Sequence, residues 1–154
     1  MRQHDHEFMA EALAEARLWA TPLQSTLARP AEMLALMDAK RSGRVANRSE
    51  RKRATLYTTL EPCALCMAAA MSFLLGRIVF AARAPLDGGT NLPDLWTPPN
   101  GHPGDGIPST ISTVTGGVES DRSLRLISEW TSRPGQHRPT ARRDLLEVVV
   151  RVGE

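Results

Sequence analysis

At 154 residues the chain has the length of one ordinary domain, long enough to bury most of the apolar surface that its unfolded form exposes. Its 42% hydrophobic and 23% charged residues exclude a disordered chain, and a net charge of +2 gives no overall electrostatic pull toward nucleic acid. No run is long enough to span a membrane. The first twenty residues carry His4, Asp5, Glu7, Glu11, Glu15 and Arg17 in place of the apolar core of a signal peptide. Two cysteines in a single Cys-x-x-Cys are too few for a disulfide framework and suit a metal or redox site in a reducing compartment, so the cytoplasm is the expected location.

Asp5 is placed to cap a first helix. Its apolar positions Phe8/Met9, Ala12/Leu13, Ala16 and Trp19/Ala20 recur at helical spacing opposite Glu7, Glu11 and Glu15, and Pro22 ends it. A second helix is predicted from Pro30, a residue suited to a first helical position, to near Gly43, with Met33/Leu34 and Met37 on one side. The run of Lys40, Arg41, Arg44, Arg48, Arg51, Lys52 and Arg53, opposed by Glu50 alone, predicts a basic loop. Ala54 to Leu60 is rich in β-formers and predicts a strand. The helix after it, Ala64 to Leu75, is almost wholly apolar and therefore expected to be buried, with Gly76 closing it before a short strand Ile78 to Ala82. These two strands, joined through a helix, should be parallel.

From Pro85 to Pro108, with Trp96 and His102 inside it, the Gly and Pro content predicts one long surface loop. A third strand, Ile111 to Thr115, turns at Gly116-Gly117 into a helix expected to cover the sheet with Leu124, Ile127 and Trp130. Residues Arg133 to Thr140 are a polar linker, and Leu145 to Val152 is a β-branched run suited to an extra strand.

The chemistry centres on Thr59-Leu60-Glu61-Pro62-Cys63-Ala64-Leu65-Cys66. Two thiols three residues apart at a strand-to-helix junction lie one turn apart on one helix face, where free N–H groups and the dipole favour thiolate, and both point at one ion. Pro-Cys-x-x-Cys is half of the zinc nucleobase deaminase signature, the other half being His-x-Glu. Upstream, Pro30-Ala31-Glu32-Met33-Leu34-Ala35-Leu36 carries the glutamate, with proline where the histidine should be.

From Asp5 to about Arg133 the chain resembles the cytidine/deoxycytidylate deaminase superfamily, most of all its tRNA adenosine deaminase branch. Thr55 to Ala70 carries the specific part, including Leu60-Glu61 before Pro62-Cys63. Gly76 to Arg83 resembles the strand that follows, and Ala31 to Leu36 the helix bearing the proton carrier. The resemblance implies an α/β fold of the cytidine deaminase-like layered kind, a mostly parallel sheet flanked by helices. It also implies a deaminase-like domain over residues 1–133, with residues 134–154 as a C-terminal linker and strand. It implies a zinc cofactor held by Cys63 and Cys66, with Glu32 as the catalytic proton carrier. Hydrolytic deamination of a nucleobase, in a nucleoside or in RNA, is the implied activity, and a homodimer the expected state. Two departures stand out. Pro30 replaces the ligand histidine, and residues 21–29 leave room for less than the family's N-terminal hairpin, since two strands and a turn need roughly 12 to 16 residues.

Blander assignments exist for each residue. Cys63 and Cys66 are also acceptable as small buried hydrophobes, and Glu32 as a carboxylate favoured by a helix N-terminus. Two further functions follow from the same residues: a catalytically inactive deaminase-like binding or partner subunit, favoured by Pro30, and a dithiol oxidoreductase, whose usual aromatic residue before the first cysteine is here replaced by Glu61-Pro62.

Overall fold

Hydrophobic patterning at two periods builds this chain. The computed structural model describes residues 2–18, 30–96 and 111–132. Its elements are α1 (Asp5–Leu18), α2 (Ala31–Arg41), α3 (Arg48–Arg53), β1 (Thr55–Leu60), α4 (Ala64–Phe73), β2 (Arg77–Ala82), α5 (Leu92–Leu95), β3 (Thr113–Thr115) and α6 (Ser120–Thr131). The strands form one parallel sheet in the order β1-β2-β3, with Leu56 opposite Ile78 and Ile78 opposite Val114.

All six residues of β2 are buried. Alternate side chains of a strand leave on opposite faces, so the sheet has two apolar faces to cover. On one, Ile78 joins Leu36 of α2 and Met67, Ala70 and Met71 of α4. On the other, Val79 and Ala81 meet Met9 and Leu13 of α1 and Leu126 of α6. The result is a helix/sheet/helix sandwich, the α/β layered fold with a parallel sheet that the residue pattern predicts. Among the described residues no helix is long and apolar enough to cross a membrane. The expectations of a reduced N-terminal hairpin, of a first helix running on past Trp19, and of a C-terminal linker and strand fall outside the described residues.

Several elements differ from the expectation. The basic segment is not all loop: α3 forms because the Asn47 side chain accepts from the Glu50 N–H at 3.0 Å while the Glu50 carboxylate accepts from the Asn47 N–H at 3.1 Å, a reciprocal cap that outweighs the crowding of cations. Helix α4 is not closed by Gly76. Leu74 takes the left-handed conformation (φ 67°), and Gly76 is needed two residues later because a Cβ there would run into the backbone carbonyl of Lys52. Nor is α4 wholly buried, for Leu65 is 55% exposed along with Ala64, Ala68 and Ser72. The long loop contains α5. On α6 the innermost residues are Ser123 and Leu126, while Leu124, Ile127 and Trp130 are half-buried. Ser123 is tolerated inside because its hydroxyl donates to the Thr59 carbonyl at 2.5 Å.

Asp5 does not cap α1. It is fully buried and accepts from both terminal guanidinium nitrogens, Nη1 and Nη2, of buried Arg77 at 2.7 Å, with the Tyr57 hydroxyl at 3.1 Å and the Arg2 N–H at 2.6 Å. The Arg77 hydrogen bonds hold its carboxyl well below the usual carboxylate range. A depressed carboxyl pKa stabilises the fold above the unfolded value near 4 and loses that contribution as pH falls toward the folded value. Asp5→Ala leaves Arg77 buried and unpaired, and should destabilise the protein by about 3 to 5 kcal/mol. Denaturant unfolding at pH 7 checks this, and the gap between wild type and variant should narrow as the pH is lowered below 4.

Candidate metal and catalytic site

The carboxyl ends of parallel strands are where α/β sheets collect ligands, and the Pro62-Cys63 junction sits at that end of β1. Pro62 stops the ladder, and Cys63, in extended conformation (φ −68°, ψ 169°), occupies the N-cap position of α4 without a side-chain cap bond. Cys66 follows in the first turn, nearly fully buried. The two sulfurs lie 3.4 Å apart, and both cysteines are free thiols.

Helix α2 packs against α4 and delivers Glu32 to this pair. Its Oε2 lies 3.5 Å from Cys66 Sγ. Its Oε1 lies 3.3 Å from the hydroxyl of Thr58, which is also 3.0 Å from the Leu60 carbonyl oxygen. The three residues singled out in the sequence, Glu32, Cys63 and Cys66, are therefore brought together from segments 34 positions apart. Pro30 stands at the N-cap of α2 in extended geometry (φ −56°, ψ 146°) with no side-chain cap.

The helix N-terminus does not make Cys66 a ready thiolate. Burial, followed by the charge of Glu32, pushes its thiol far above the ordinary cysteine range, because desolvation and a nearby carboxylate outweigh the dipole. A bound cation would reverse this, since a coordinating thiol loses its proton outright.

The donor chemistry suits zinc in part. At Zn–S bonds of about 2.3 Å, sulfurs 3.4 Å apart fall on a single centre. A catalytic zinc takes three protein ligands, whereas Pro30 offers no lone pair, and among the described residues no three His, Cys, Asp or Glu form a metal-holding group. The pair fits zinc as a two-thiolate anchor. Of the histidines, His4 pairs with Glu7 and His6 with Glu119, while His102 and His137 lie outside the described residues.

A family model, the cytidine and deoxycytidylate deaminase zinc-binding region, matches residues 21–82. Over that stretch, less than half of its length, the chain is similar to this deaminase family. The match runs through α2 to the end of β2 and so takes in Pro30, Glu32, Cys63 and Cys66.

Two polar residues around the site, Thr58 and Thr90, were given no site role from the sequence, and Glu61 was read only as a letter of the motif. Glu61 is buried, accepts from the Ala84 N–H at 3.1 Å and takes the Thr90 hydroxyl. A carboxylate between the end of β1 and the Pro62-Cys63 junction was the available signal, since burial there demands partners. For Cys66 the geometry yields a direct test. Glu32→Gln removes the negative charge beside the thiol, lowers its pKa and should speed alkylation of Cys66 severalfold at pH 8 in metal-free protein, as site-resolved mass spectrometry would show.

Proposed function

We propose that this chain is a deaminase of the superfamily it matches over residues 21–82 and hydrolytically deaminates a nucleobase, carried by a nucleoside or by RNA as in the tRNA adenosine deaminase branch it resembles. In this reading Cys63 and Cys66 hold zinc and Glu32 moves the proton. The observation that carries the reading is the 3.5 Å approach of Glu32 Oε2 to Cys66 Sγ, which sets a proton-carrying carboxylate against the two thiols. Zinc bound there would supply the Lewis acidity that activates a water near neutral pH. Glu32 has one oxygen facing the thiols and the other held near Thr58, an arrangement that fixes its carboxylate plane while leaving one oxygen to take and return a proton. Free thiols suit a cytoplasmic protein, and a homodimer is the assembly proposed.

Pro30 favours a second reading, a deaminase-like binding or partner subunit without turnover, in which the thiols and Glu32 persist as structure. The dithiol oxidoreductase reading has less behind it, because Glu61-Pro62 stands where such motifs carry an aromatic residue before the first cysteine.

Zinc per chain and ammonia release from cytidine, deoxycytidylate, adenosine and single-stranded RNA separate these readings. The proposal expects bound zinc, lost in Cys63→Ala and Cys66→Ala, and turnover of one of these bases that falls by about 100-fold or more in Glu32→Gln with zinc retained. Zinc without turnover of any base would leave the second reading standing, and freely reactive thiols with no zinc would remove the ligand roles altogether. Pro30→His supplies the missing imidazole where the backbone is already extended, and should raise zinc affinity in a competition titration; an unchanged affinity would show that position 30 no longer faces the thiols.

A further inference from the structure

We propose that Glu61 is a positioning residue whose buried carboxylate latches the segment 84–90 across the start of α4 and thereby holds Cys63 in place. One carboxylate secures both ends of that segment. Oε2 accepts the Ala84 N–H at 3.1 Å, and Oε1 takes the hydroxyl of Thr90. Arg83, 3.9 Å from Oε2 and 75% exposed at its side chain, adds little, because an exposed cation at that distance is screened by water. Glu61 itself is only 8% exposed. A carboxylate removed from water to that degree is stable only with its donors in place.

Between the two anchors the segment lies directly on the first cysteine. Gly88 pairs with Cys63 in an antiparallel bridge, and the Gly89 N–H donates to the Pro62 carbonyl at 2.8 Å. The approach is close enough to require glycine at both positions. A Cβ on residue 88 would fall 2.6 Å from the Glu61 carboxyl carbon, and one on residue 89 would fall 2.6 Å from the backbone of Ala64. Cys63 makes no side-chain cap bond to its own helix. The latch therefore sets where the Cys63 sulfur stands relative to Cys66. Groups that orient a ligand from behind are worth about 10 to 100-fold in metal affinity.

The inference rests on Cys63 being a zinc ligand for its functional meaning, but the position of Cys63 is measurable without metal. The test uses the full chain with Glu61→Ala, Glu61→Gln and Thr90→Val. Two quantities are read, the rate of Cys63 alkylation relative to Cys66 in metal-free protein and the zinc dissociation constant. Glu61→Ala should speed Cys63 relative to Cys66 and weaken zinc binding by about tenfold or more. Thr90→Val, which removes one donor, should move both in the same direction by less. Glu61→Gln keeps an oxygen for the Ala84 N–H and an amide that donates to the Thr90 hydroxyl, so it should stay close to wild type at an unchanged melting temperature. A folded Glu61→Ala protein with the wild-type alkylation ratio would overturn the latch. If Glu61→Ala does not fold, a folded Thr90→Val protein with an unchanged ratio would overturn it equally. Wild-type protein that binds no zinc would refute the metal reading alone, and the alkylation ratio would still decide the latch.

Discussion

Both faces of β2 are shut off from water, and the placement of the other described elements follows from the need to keep them so. Ile78 faces the cluster built by α2 and α4, while Val79 and Ala81 face α1 and α6. A parallel strand with two apolar faces requires helices on both. Its first residue brings the one complication. Arg77 opens β2 in a nearly dry position, and an unpaired guanidinium there would cost about 3 to 5 kcal/mol. The N-terminal turn of α1 answers with Asp5, fully buried and bidentate, and Tyr57 of β1 adds its hydroxyl to the same carboxylate. A single ion pair thus joins α1 to the start of the central strand and sets how α1 lies on the sheet.

The same parallel arrangement brings the functional groups to one edge. With β1 and β2 side by side, the end of β1, the first turn of α4 and the segment leaving β2 all meet near Cys63. Glu32 reaches this edge because α2 shares with α4 the face around Leu36 and Met67. At this edge the sulfur pair and the carboxylate are in contact, and Pro30 stands at the N-cap of the helix that carries Glu32. The environment of Cys66 shows what this arrangement costs without a cation. A buried thiol beside a carboxylate stays protonated, so the pocket is electrostatically suited to a positive ion and poorly suited to standing empty as a thiolate pair.

Much of this was legible in the chain because the signals are local. The β-formers of Thr55 to Leu60, the apolar run after Pro62-Cys63 and the second strand dictate a β-α-β unit, and the spacing of Met9 and Leu13 sets the inward face of α1. Pro30 and Gly43 bracket α2 closely. The Asn47 to Glu50 cap was also present in the letters, but seven cations in the surrounding stretch masked it, since charge density says nothing about a reciprocal hydrogen bond. The motif residues Cys63 and Cys66, and Glu32 as their partner in chemistry, were likewise visible as types at a spacing.

Only the tertiary structure decided the rest, and each case turns on a contact between residues distant in the chain. Leu74 rather than Gly76 takes the left-handed turn, because the site of Gly76 is claimed by the carbonyl of Lys52. Apolar α4 leaves Leu65 in water, because the sheet offers only one face to cover it. Asp5 looked like a cap and became the counter-ion of a residue 72 positions away, while Glu61 looked like a motif letter and became the anchor of a segment 23 and 29 positions on. Periodicity and turn chemistry are written within a window of a few residues, so a sequence determines which elements form. Which charge meets which across the core depends on how those elements pack, and desolvation makes such pairings decisive only once the core has closed.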